Sequence, residues 1–194
     1  MRALARVTGG GPTVRRGGEV ALTVMELRDD LIVLRPWRED DAQAVYEACQ
    51  DPETQRWLPG LPRPYTQDDA RAFVTDALGL GPHHFAVTER GNVVGSIGLS
   101  LAKHDHGGVG YWCVPGARRR GITTRATRRV CRYALDDLHL ERLILTTDVD
   151  NVASQRVAEK VGFRREGVLR SHVRHPEGGR RDSLLFSLLP GELR

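Results

Sequence analysis

The segment Arg118-Arg119-Arg120-Gly121-Ile122-Thr123 follows an apolar run, Val109-Gly110-Tyr111-Trp112-Cys113-Val114, that Pro115-Gly116 stops. After it Ala126, Val130, Tyr133, Ala134 and Leu138 recur at helical spacing. The segment therefore reads as a strand-to-helix turn. The first backbone N–H groups of a helix lack intrahelical acceptors and carry about half a positive charge, so such a turn is a natural anion site. Gly121 lets a ligand approach the main chain closely, and arginines add planar donors. Three cations at a helix start oppose its dipole, which asks for a compensating anion. GxxxxGK[ST] is absent, which argues against a nucleoside triphosphatase.

Outward from this turn the chain becomes a mixed series of elements. Leu31-Ile32-Val33-Leu34 reads as a short strand closed by Arg35-Pro36, and Asp40 or Asp41 as the cap of a helix ending before Asp51-Pro52. Trp57 to Pro62 reads as a loop. Thr66 and Asp69 resemble a capping box for a helix continuing through Phe73, Val74 and Leu78. His84–Thr88 and Val93–Leu99 read as a hairpin around an Arg90-Gly91 or a Gly91-Asn92 turn, and Leu143–Thr147 as a buried strand. Asn151–Val161 reads as a helix ended by Gly162, and two last strands flank Pro176–Gly179. The order β-α-α-β-β-β-α-β-α-β-β, antiparallel in the middle, predicts an α+β fold with one mixed sheet.

At 194 residues, 40% of them hydrophobic, the chain has room for one domain with a real core. Residues 1–27 stand apart as a flexible Gly/Arg-rich arm, leaving 28–194 as the domain; Met25 is an alternative start. No run is long and apolar enough for a membrane span, the N-terminus lacks an apolar signal core, and Arg15-Arg16 makes a poor twin-arginine signal. The expected compartment is the cytoplasm. Cys49, Cys113 and Cys131 show no ligand spacing, so reduced packing thiols and no metal are expected. The net charge of +4, carried almost wholly by arginine, suits either nucleic acid or a phosphate-bearing cofactor. Total charge does not separate the two.

Arg118-x-x-Gly121-x-Thr123 resembles the R/Q-x-x-G-x-G/A signature of the GNAT acyltransferase superfamily, and its context resembles the RimJ/RimL branch of ribosomal-protein and peptide N-terminal acetyltransferases. Leu34-Arg35-Pro36, Asp150-Asn151-x-x-Ser154, Glu159-Lys160-x-Gly162-Phe163-x-x-Glu166-Gly167 and Ser187-Leu188-Leu189-Pro190 fit in order, so the likeness covers about Leu31 to Pro190. The resemblance implies a sheet splayed between two strands, with acetyl-CoA as co-substrate. Cys113 and Val114 would pair with its pantetheine amides, and Arg118, Arg119, Arg120, Gly121, Ile122, Thr123 and Thr124 would hold its pyrophosphate. Thr123 departs from the usual Gly or Ala and either crowds the pyrophosphate or gives it a hydroxyl.

Asn151 and Ser154 would lie beside the cofactor as catalytic residues, Ser154 assisting the leaving thiolate, although Asn151 equally reads as an N-cap. Trp57, Tyr111 and Trp112 are candidate acceptor-site residues, with one of Tyr111 and Trp112 expected in the core because alternate strand residues face opposite ways. The hairpin around Glu177 would form another wall. Glu166, Asp182, His83, His84, His104, His106, His172 and His175 are candidate bases, each histidine reading more readily as a surface residue, and no base is assigned. The acceptor is a primary amine on a peptide N-terminus, a small metabolite or an antibiotic. Another acyl donor such as succinyl-CoA and a non-catalytic CoA-binding regulator stay open, a homodimer is compatible with the sequence, and a nucleic-acid module is the least favoured reading.

Overall fold

The computed structural model describes residues 25–75, 81–175 and 178–194. Among them runs one eight-stranded sheet in the order β1-β2-β3-β4-β5-β6-β8-β7. In chain order the elements are β1 (Leu27–Arg28), β2 (Val33–Pro36), α1 (Ala42–Gln50), α2 (Pro52–Trp57), α3 (Gln67–Val74), β3 (His84–Glu89), β4 (Asn92–Ala102), β5 (His106–Cys113), α4 (Ile122–Arg132), β6 (Arg142–Asp148), α5 (Val152–Val161), β7 (Arg164–Arg174) and β8 (Arg180–Leu188). This is the expected mixed α+β sheet. Most of the expected arm, residue 78 of the third helix and the turn residues 176–177 lie outside the described residues. Met25 packs against the main core and Leu27 pairs with Leu34.

Every neighbouring pair of strands is antiparallel except β5 and β6, which are joined through α4 as a parallel pair requires. Those two share only the register His106–Gly108 with Arg142–Ile144. Beyond it β5 stays with β4 to Cys113, and β6 stays with β8 to Asp148. The sheet thus opens as a V from Val109 onward. At its vertex a Cβ on Gly107 would come within 2.9 Å of Leu99, Leu140 and Leu143, so glycine is what lets the two strands meet there.

The helices divide between the two faces. Ile122, Ala126 and Val130 of α4 and Ala158 and Val161 of α5 are buried in the main core. Val45 and Cys49 of α1 and Ala70 and Val74 of α3 form a second cluster with Trp37, Phe73 and Trp112. Alternation along β5 follows this division: Tyr111 packs on the main core and Trp112 on the other cluster. Gly162 closes α5 at φ 114°, as the sequence predicts. The Thr66–Asp69 capping box is present, and Arg90 and Gly91 form the hairpin turn with φ of 50° and 85°.

Two local expectations are corrected. The stretch beginning at Trp57 is not all loop, because Trp57 ends α2. Asp51-Pro52 both stops α1 and starts α2: Asp51 accepts the Thr54 N–H at 2.8 Å and Pro52 occupies the first turn. The first long strand is shifted, with Arg35 and Pro36 inside it, opposite Ala86 and Phe85.

Arg35 can lie in a buried strand because Asp41 meets it in a two-pronged ion pair of 2.7 and 2.8 Å. Asp41 also accepts the Arg38 N–H at 2.9 Å, so its side chain is turned to the strand and makes no cap bond to α1. Burial pushes the Asp41 carboxyl up, but the bonds from Arg35 and Arg38 outweigh it and hold the group below its ordinary value. A depressed carboxyl pKa stabilises the fold above the unfolded value, near 3.9, and that contribution is lost as pH falls through the folded value. Asp41→Asn, which leaves Arg35 buried without its counter-charge, is expected to lower unfolding free energy by about 3–5 kcal/mol at pH 7. It should also flatten the loss of stability below about pH 4; urea denaturation across pH checks both.

Candidate active site

The open V contains a cavity of about 1050 Å³. Val109–Cys113 of β5 form one wall and Leu145–Asp148 of β6 the other; the starts of α4 and α5, the end of α2 and residues of β7 and β8 complete it. The N–H of Val114 donates to Val94 O at 3.0 Å, which fixes the phase of the β4–β5 ladder. In that phase the main-chain groups of Tyr111 and Cys113 face away from β4, into the V where β6 has left.

At the start of α4 the first helical bond runs from Arg125 N to Gly121 O. Gly121 caps the helix at φ 78° and offers no side-chain acceptor to its first turn. The N–H groups of Ile122, Thr123 and Thr124 therefore precede the helical ladder, and all three residues line the cavity. A Cβ at Gly121 would meet no atom within 4 Å, so the space over this turn is clear. Cys113 lies against Thr123, its thiol directed to Val114 O at 3.6 Å. Burial raises the Cys113 pKa, so it is a poor nucleophile.

The arginines of the turn behave differently from their sequence reading. Arg118 reaches α2, bonding Asp51, Glu53 at 2.8 Å and Thr54 at 3.0 Å. Arg120 turns away from the cavity to Glu89, at 2.7 and 2.8 Å. Both precede Ile122 and so lie outside the helix. The anion their positive charge asks for is, for these two, supplied by the protein's own carboxylates. Arg119, exposed and at φ 61°, lines the cavity without either of these carboxylate ties. The Val114 N–H, expected to face pantetheine, is spent on Val94. Cys113, Arg118, Gly121, Ile122, Thr123 and Thr124 all line the cavity, while Val114 and Arg120 do not.

At the start of α5, Asn151 is both cap and wall. Its side chain accepts the Ser154 N–H at 3.1 Å, and both residues line the cavity. Ser154 Oγ lies 3.0 Å from the Tyr111 hydroxyl, a bond that crosses from β5 to α5. Trp57, with Arg56 over its ring at 4.6 Å, and Trp112, stacked 6.2 Å from Trp37, line the cavity from the α2 side.

The candidate bases separate clearly. Glu166 bonds Arg142 and Ser187, Asp182 accepts the Ser171 N–H at 2.7 Å, and His83 and His84 lie beside Tyr133 and Ser96 at 3.3 and 3.1 Å. His104 and His172 are exposed, and His106 opens β5. His175, expected at the surface, is 7% exposed and lines the cavity. Sequence reasoning missed Asp148, Arg181 and Ser183. Arg181 lies 3.6 Å from Asp148, and Ser183 stands opposite it in the β6–β8 ladder. No local motif could mark these three, because Asp148 lies 33 and 35 positions before Arg181 and Ser183 and meets them only through strand pairing.

Residues 32–164 match the family model for the acetyltransferase (GNAT) domain. The chain belongs to the GNAT acetyltransferase family. It is 28% identical over 158 residues to the N-acetyltransferase YnaD of Bacillus subtilis, covering 79% of this chain and 90% of that protein. Among solved structures it resembles a GNAT-family acetyltransferase from Bacillus anthracis, with a TM-score of 0.77, 25% identity and coverage of 85% of this chain and 98% of that one. It also resembles Mycobacterium smegmatis RimJ in complex with CoA-disulfide, with a TM-score of 0.75, 26% identity and 88% of each chain covered. This GNAT chain is thus an N-acetyltransferase. Among the described residues no helix could cross a membrane, and no group of three or more His, Cys, Asp or Glu could hold a metal ion.

In this GNAT domain Arg118 ties the turn before α4 to α2, the helix that carries Trp57. An arginine reserved for a ligand would show no coupling to Asp51 in the free protein's stability. Arg118→Ala and Asp51→Ala should instead couple by about 1 kcal/mol in a double-mutant cycle of urea unfolding without ligand.

Proposed function

We propose that the protein transfers an acetyl group from acetyl-CoA to a primary amine by direct attack in a ternary complex. The observation that carries this reading is the V between β5 and β6, with a clear helix start on one side and the Tyr111–Ser154–Asn151 group on the other, all on one cavity. The residues present fit a CoA thioester. The N–H groups of Ile122, Thr123 and Thr124 and the clear space at Gly121 suit a pyrophosphate. The main chain of Cys113 suits an extended amide-bearing arm, as a strand edge does. RimJ, the relative in complex with CoA-disulfide, supports the same ligand here.

The bound thioester supplies an activated acyl carbon; the chain's own residues orient and stabilise. Ser154 Oγ donates to the sulfur as the C–S bond breaks and the electron pair moves onto sulfur. Asn151 holds the first turn of α5, and with it Ser154, in place. Trp57 and Trp112 wall the acceptor side, with Asp148, Arg181 and His175 facing the same cavity. The acceptor class is a peptide N-terminus or a small primary amine. The cavity's cations, Arg56, Arg119, Arg156 and Lys160 among them, keep an acidic acyl donor such as succinyl-CoA as the alternative. A nucleic-acid role is disfavoured because the α4 arginines hold the chain itself: Arg125 pairs with Asp29, Arg129 donates to Arg28 O and Arg128 to Arg194 O.

Release of free thiol from acetyl-CoA, measured across a panel of peptides and small amines, tests the activity directly; no turnover with any amine would leave a CoA-binding regulator. Gly121→Val should weaken acetyl-CoA binding at least about tenfold by calorimetry, since it fills the open space and strains a left-handed position by about 1–3 kcal/mol. Unchanged affinity would move the phosphate site off this turn.

With no protein base, the amine itself loses a proton to water before attack. The rise of kcat/KM with pH should then follow the acceptor's own pKa and shift with a less basic amine. A rise fixed near pH 6–7 for every amine, and lost in His175→Gln, would instead make His175 the base.

A further inference from the structure

The hydroxyl of Tyr111 lies 3.0 Å from Ser154 Oγ and 3.3 Å from Ser154 O. From sequence Tyr111 was a candidate acceptor-site residue, but its side chain points to the main-core face, and its polar end meets one residue, Ser154. The contact spans the V, joining the strand that leaves the sheet junction to the helix that follows β6.

We infer that Tyr111 is a positioning residue that aims the Ser154 hydroxyl proton into the cavity. This rests on the reading of Ser154 as the donor to the thioester sulfur. A serine hydroxyl has one proton. If that proton goes to the Tyr111 oxygen, it is not available to the sulfur. If Tyr111 donates to Ser154 Oγ, one Ser154 lone pair is occupied by the phenol and the serine proton is directed elsewhere. The Ser154 N–H goes to the Asn151 Oδ1 cap, and the Ser154 carbonyl, which can also accept from the Tyr111 hydroxyl, lies at 3.3 Å, farther than Oγ. The cavity is the side left for the hydroxyl proton, and both residues line it.

Burial pushes the Tyr111 phenol up to about 12, so it stays protonated through the working range of an amine acyltransfer. Tyr111 therefore keeps its proton to donate, and none leaves it. During the step the sulfur takes the electron pair of the breaking C–S bond and the Ser154 proton faces that charge. The proton lost by the amine goes to water. A donor bond into a hydroxyl oxygen also polarises its O–H, which strengthens the bond that hydroxyl gives.

The test uses Tyr111→Phe, Ser154→Ala and the double variant, with two readouts. In turnover, Ser154→Ala should lower kcat about 100-fold. Tyr111→Phe should lower kcat about tenfold, the range of one neutral hydrogen bond, with KM for acetyl-CoA within twofold. The double variant should be no slower than Ser154→Ala, because Tyr111 acts only through that hydroxyl. In binding, the pKa of the CoA thiol in the binary complex, read from thiolate absorbance in the ultraviolet, should rise in both single variants and no further in the double.

Tyr111→Phe as fast as the unchanged enzyme, or faster, would overturn the inference by showing that Ser154 donates to Tyr111. A Tyr111→Phe effect that multiplies that of Ser154→Ala would overturn it by showing independent action. Full activity in Ser154→Ala would overturn the reading beneath it; a slow Ser154→Ala beside a fast Tyr111→Phe would overturn this inference alone.

Discussion

β5 and β6 are the one parallel pair among the described strands, and they share three residue pairs before parting. An antiparallel pair joined by a tight turn could not do this, since its ends are tied together. A parallel pair needs a crossover, and α4 is that crossover. Its start must then lie at the open end of the V, beside the tip of β5, so the strand gap and the helix's free N–H groups come as one feature. The starts of both α4 and α5 line the same cavity as a result. The cavity thus depends on the strands failing to pair beyond Gly108 and Ile144.

Keeping that gap open requires its walls to be fixed from outside. Gly107 lets the leucines of β4, β6 and the segment before β6 close the vertex. Arg118 anchors α2 on one flank through Asp51 and Glu53, and the β6–β8 ladder holds the other through Asp148. Arg125 and Arg129 hold the start of the domain to α4, while Arg128 holds its end. A run of arginines that looks like a single anion-binding stripe is, side chain by side chain, mostly a set of internal ties. Exposed ion pairs contribute little each, but partly buried ones that join separate elements set geometry even where they add little net stability.

Local chemistry was legible where neighbours in sequence decide it. The Thr66–Asp69 box, the Arg90-Gly91 turn, the glycine that ends α5 and the Asn151 cap each depend on a few adjacent residues, and each is found. The same locality misled at Asp51-Pro52, where a helix stop is also a helix start. It misled again at Arg35, whose partner Asp41 allows a charged residue inside a strand.

By itself, then, the sequence determined the α+β class, the strand–turn–helix at Gly121 and the family resemblance, because hydrophobic period, capping residues and backbone-permissive glycines act over a few residues. Only the tertiary structure decided where the side chains point. It gave Arg118 and Arg120 to Glu and Asp residues, joined Tyr111 to Ser154 across 43 positions, and brought His175, Arg181 and Asp148 to one wall. A guanidinium or a hydroxyl satisfies itself with whichever partner the fold brings within about 3 Å, and strand order, which sets that partner, is a property of the whole chain.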